Sequence, residues 1–111
     1  MTLRPNQLRF VENDTLPGLR GIITQDDGTP IDITGFTIKV NIGYSTPLVK
    51  NASIVDGTNG VWEVSWIVGD LKAGTWFYEI QVTDTSSGIR TWSRDSVSGL
   101  PLQMLIDEEI A

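Results

Sequence analysis

The residues in this chain best equipped for chemistry are its acids and its tryptophans. Asp26-Asp27-Gly28 sets two carboxylates beside a glycine, a pattern that could begin a calcium loop, since that ion takes carboxylate and carbonyl oxygens. The remaining ligand positions of a helix-loop-helix calcium site, including its closing glutamate, do not follow. A tight turn explains the triplet more simply, because Asp bonds its own backbone and Gly accepts positive φ. Fourteen acidic residues make some carboxylate pair inevitable. A glycosidase needs two facing each other across a sugar-sized cleft, and a small sandwich offers little room for one.

Four tryptophans are the second resource. Trp62 and Trp66 lie four apart, which in a strand puts them on one face about 13 Å apart. Two readings follow: a stacking platform for a sugar, or large rings filling a core beside Val64 with Trp76 and Tyr78 opposite. The core is favoured, because big aromatics dominate the burial open to a small domain. Phe77 and Trp92 stand differently. Phe77 falls on the polar side of its strand, and Trp92 sits between Arg90, Thr91, Ser93 and Arg94. Aromatics beside arginine make up the centre of many protein interfaces, so Phe77, Trp92, Arg90 and Arg94 are the candidate contact residues. A second core face, or cover from a neighbouring loop, explains the two rings equally well.

Composition excludes several other classes. The chain holds 111 residues, enough for one domain, with no cysteine and no histidine. Disulfides, thiolate nucleophiles and cysteine zinc sites are thereby impossible, and the commonest general base is absent. No cofactor and no metal set is indicated, and the chain is expected not to be an enzyme. Net charge is −6 and no basic stripe occurs, which argues against nucleic acid and anionic membranes as partners. No apolar run is long enough for a membrane helix, and the N-terminus lacks a signal-peptide pattern. Synthesis in a cytoplasm is the expectation.

Period-two segments bounded by turn residues must position these side chains. Strands are predicted over residues 8–12, 19–25, 36–42, 48–55, 61–66, 75–83, 89–93 and 102–106. The 75–83 segment alternates best, Trp76, Tyr78, Ile80 and Val82 against Phe77, Glu79, Gln81 and Thr83. Such spacing predicts one all-β domain over 1–111, an immunoglobulin-like antiparallel β-sandwich of seven or eight strands. Residues 1–7 and 107–111 are expected to be flexible ends, and 95–101 the loosest connection. Free edge strands invite pairing with another chain. The segment before Asp14, with Pro5 and two arginines, is either an arm across a neighbour or an edge strand guarded by charge.

One phrase, Gly28-Thr29-Pro30-Ile31-Asp32-Ile33-Thr34-Gly35, leads into the strand opening at Phe36. Pro30 holds Thr29 extended, Asp32 and Thr34 can bond nearby backbone, and Gly35 turns the chain. The phrase therefore predicts a corner between sheets. It also resembles the "dG-x-P-(V/I)-D-(L/I)-T-G" phrase of the N-terminal immunoglobulin-like domain of phage baseplate upper proteins. "ENDTLPGLRGIIT" (12–24), "GVWEVSW" (60–66) and "GDLKAGTWFYEIQVTDTSSGIRTW" (69–92) are similar to that family's strands in the same order. The likeness spans about residues 8–106 and consists mainly of turn chemistry. It implies a non-enzymatic structural part of a bacteriophage virion, in tail, baseplate or on the head, whose partners are other virion proteins in a symmetric homo-oligomeric assembly. In that family the domain heads a longer chain; here the sequence ends at Ala111, which suggests an adaptor, a decoration or a docking base. The alternative is a carbohydrate-binding module that attaches a particle or enzyme to glycans through Trp62, Trp66 or Trp92.

Overall fold

The computed structural model describes residues 2–5, 9–96 and 98–110. Ten strands form two packed sheets, and no helix occurs among the described residues. They are β1 (Thr2–Pro5), β2 (Arg9–Val11), β3 (Leu19–Thr24), β4 (Thr37–Ile42), β5 (Leu48–Asn51), β6 (Ser53–Asp56), β7 (Val61–Val64), β8 (Gly74–Thr83), β9 (Ile89–Trp92) and β10 (Gln103–Asp107). One sheet has the order β1-β3-β7-β6; the other runs β2-β10-β8-β4-β5, with β9 also on β8. This is an immunoglobulin-like β-sandwich, the architecture that the alternation predicts.

Two strands beyond the expected eight have identifiable origins. The predicted 48–55 strand breaks at Ala52, whose N–H donates to Ile38 O at 2.8 Å. Its halves, β5 and β6, then join opposite sheets. Within the stretch expected to be a flexible end, Thr2–Pro5 pairs antiparallel with β3 as the edge of the four-stranded sheet. That places it as an edge strand of its own domain. Residues 6–8, where the predicted first strand begins, lie outside the described residues. Parallel pairing also enters an otherwise antiparallel fold, where β2 aligns with β10. At the other end of the chain β10 continues to Asp107, whose carboxylate meets the Arg9 guanidinium at 2.9 Å.

β8 is the spine. Gly43 N donates to Phe77 O at 2.9 Å on one edge, while Tyr78 N donates to Leu102 O at 3.0 Å on the other. On that second edge β10 pairs with residues 74–77 and β9 with residues 80–83. The two are thus halves of one interrupted strand. Residues 93–96 and 98–102 leave the line as the two arms of a small hairpin, bridged at Arg94 and Pro101 and closed where Leu102 N reaches Ser93 O at 2.9 Å.

The predicted corner is present. Asp32 Oδ1 accepts from Thr34 N at 2.9 Å and from Thr34 Oγ1 at 2.6 Å, and Gly35 turns at φ 82°. Buried Ile33 donates its N–H to Gly57 O at 2.8 Å, which ties the corner to the β6–β7 turn. Between the sheets lie Leu19, Ile23, Ile38, Val40, Ile42, Trp62, Val64, Ile80 and Met104, all sealed from solvent. Room for the Trp62 indole comes from Gly21, its register partner in β3, where an added Cβ would stand 2.3 Å from the ring.

Candidate contact surface

Alternation along β8 fixes what each face presents. Tyr78, Ile80 and Val82 point into the core, so Phe77, Glu79, Gln81 and Thr83 point outward. Register then assembles the outer face: Gln103 of β10 lies opposite Phe77, Asn41 of β4 opposite Glu79, and Lys39 opposite Gln81. Asn41 Nδ2 donates to Glu79 Oε1 at 3.3 Å. Phe77 stands 61% exposed in the middle of these polar side chains. Beside it runs a shallow, mainly apolar groove of about 360 Å³, lined by Asn41, Gly43, Pro47, Phe77, Glu79 and Ser93. An exposed ring within a polar rim has the anatomy of a protein contact.

Of the four candidate contact residues, the structure does not make one patch. Trp92 is a correction: its ring is only 6% exposed, because β9 pairs it with Ile80 and so turns it to the inner side. Counting back through the Asp84–Gly88 turn gives that register, so the signal was available in sequence. Arg90 pairs with Val82 and lies on the same side as Trp92, its guanidinium 5.0 Å from the indole centroid. It covers the ring, so the arginine-flanked aromatic is an edge lid over core. Arg94 closes the small hairpin, Nη1 donating to Gly99 O at 3.2 Å. Phe77 alone is an exposed aromatic on the open face.

Trp62 and Trp66 are buried too and form no exposed stacking platform. Trp66 packs edge-on to Phe10 at 5.6 Å although β7 has ended at Val64. The indole N–H groups of Trp62 and Trp66 and the Tyr78 hydroxyl have no hydrogen-bond partner among the described residues. Burial, with some contribution from Asp95, pushes the Tyr78 hydroxyl far above the ordinary tyrosine range.

The acidic triplet behaves as a turn. Asp27 Oδ1 accepts from Thr29 N at 3.0 Å and from the Thr29 hydroxyl, and these bonds hold its carboxyl below the usual range. Asp32 is held low in the same way by the Thr34 hydroxyl and N–H. Among the described residues no three acidic groups gather as a metal-sized cluster.

A network that sequence reading missed lies at the opposite end of the sandwich. Lys50 Nζ meets Asp70 Oδ2 at 2.8 Å, both side chains largely buried, and Asp70 Oδ2 also accepts from Ile67 N at 2.9 Å. Tyr44 donates its hydroxyl to Asp70 O at 2.7 Å and accepts from Lys72 N at 3.1 Å, with Trp76 edge-on to its ring at 4.8 Å. Burial raises the Tyr44 hydroxyl pKa, with Asp70 adding to the effect. Apart from the Ile67–Asp70 bond the partners lie 20 or more positions apart in the chain, so no local motif announces them. A scan of protein-family models finds none that matches the chain, and a search of curated proteins returns no match.

Proposed function

We propose that this chain is a non-enzymatic structural component of a bacteriophage particle, a tail, baseplate or head-associated adaptor or decoration protein that works by contact with other virion proteins. The observation that carries the reading is Phe77, a large ring held outward by strand register in a polar-rimmed groove. The ring lies outside the core, and a binding partner would give its position a use. The particle context rests on the resemblance of the corner phrase and of the β8–β9 hairpin to the baseplate upper proteins. Particles are symmetric, so the protein is expected in rings, trimers, hexamers or on a lattice.

Sedimentation of the isolated protein and its copy number in purified particles test this reading. The expected result is a fixed stoichiometry per particle that Phe77→Ser lowers without unfolding the protein. Absence from the particle overturns it.

A further inference from the structure

The turn that closes the β6–β7 hairpin contains a chemically vulnerable bond. The chain has five asparagines, and only Asn59 is followed by glycine. That dipeptide undergoes deamidation readily, because glycine offers no side chain to hinder attack by its own backbone nitrogen. Gly60 N would attack the Asn59 side-chain carbonyl carbon, ammonia would leave, and a five-membered succinimide would form. Water then opens the ring to aspartate or isoaspartate. The only co-reactant is solvent water.

The fold opposes each part of that step. Asn59 Nδ2 donates to Asp56 Oδ2 at 2.7 Å, which holds the side chain toward Asp56. Asn59 N donates to Asp56 O at 3.2 Å, and Gly60 N, the nucleophile, donates to Gly57 O at 3.1 Å. Gly60 O accepts from Ile23 N at 2.9 Å, so the residue is pinned to β3. Gly60 is itself buried, at φ 72°, with Ile23 O only 2.3 Å from where a Cβ would sit. Attack requires the nitrogen to leave Gly57 and the carboxamide to leave Asp56 together, which is local opening of the turn.

We infer that Asn59–Gly60 is a latent deamidation site gated by opening of the β6–β7 turn, with Asp56 as the residue that holds it shut. Conversion replaces the amide donor facing Asp56 with a second carboxylate, so the turn loses a hydrogen bond and gains repulsion. The isoaspartate product also adds a methylene to the backbone beside a glycine whose N–H and carbonyl are both hydrogen-bonded. Conversion would therefore leave the turn more readily opened, and the change is irreversible.

The full chain is incubated in warm, mildly alkaline buffer, folded or unfolded in guanidinium, and the 51–72 tryptic peptide is followed by mass and by elution of the isoaspartyl isomer. Asn59 should convert roughly tenfold or more slowly in the folded chain than in the unfolded one. Asp56→Ala should speed conversion in the folded chain and leave the unfolded rate unchanged. Equal rates in folded and unfolded protein, or no conversion in either, overturn the proposal, as does a folded Asp56→Ala protein ageing at the wild-type rate. If Asp56→Ala does not fold, Asp56→Ser, whose shorter side chain withdraws the acceptor from Asn59 Nδ2, takes its place with the same outcomes for and against.

Discussion

The two ends of this sandwich are held by different means. At one end, loops 25–36, 57–60 and 84–88 are each closed by an aspartate bonding its own turn: Asp27 to Thr29, Asp32 to Thr34, Asp56 to Asn59 and Asp84 to Ser86 and Gly88. At the other end, loops 43–47 and 65–73 are held by Tyr44, Lys50 and Asp70, which bond one another's segments across the chain, Asp70 adding one local bond from Ile67 N. The first end is a set of separate local devices in water. The second is one coupled, largely buried network. Local turns tolerate loss one at a time, whereas removing one member of a buried network strands the others.

The sharpest way to break the second end is Asp70→Ala. It leaves the Lys50 ammonium largely buried without its carboxylate and Ile67 N without its acceptor. A loss of about 3 kcal/mol is expected, read from denaturant midpoints. Tyr44→Phe comes next. Removing a hydroxyl that bonds both Asp70 O and Lys72 N should cost about 1–2 kcal/mol in the same measurement. If both changes are neutral, the second end is no more coupled than the first.

The first end is better probed by acid than by deletion. Asp27 and Asp32 have folded pKa values below the ordinary 3.8. The unfolded chain therefore binds protons that the folded chain still refuses, and stability falls as pH drops through that interval. Above the ordinary value their contribution is fully present. Thermal midpoints should decline below about pH 4, and Asp32→Ala should flatten the decline while lowering the neutral-pH midpoint less than Tyr44→Phe does. The smallest effect on stability belongs to Phe77→Ser, within about 0.5 kcal/mol, because that ring packs outward. A large loss there would make Phe77 structural and remove the main support for the contact reading.

This contrast also explains what could be read from sequence. Aspartate turns are local, so the corner at Asp32-Ile33-Thr34-Gly35 and the turn at Asp84–Gly88 were legible. Strands with strong alternation, β4 and β8 above all, were legible as well. The break at Ala52 was not, since nothing in its neighbours' types marks a change of sheet. Nor was the Lys50–Asp70 pair, whose members meet only after the sheets assemble. Trp92 lies between these cases. Its flanking arginines suggested exposure, but strand register governs where a side chain points, and register placed it opposite Ile80. Of the candidate contact residues, only Phe77 could be placed on the surface by alternation alone.

The hairpin that interrupts the β9–β10 line has a consequence for how the chain can vary. Because Ser93 and Leu102 are stitched together at its base, the sheet continues across the gap whatever lies between them. Lengthening such a loop adds little closure entropy, roughly 0.6 kcal/mol for each doubling. New sequence could therefore be grafted at this point, giving the brick a different handle while its mortar stays untouched.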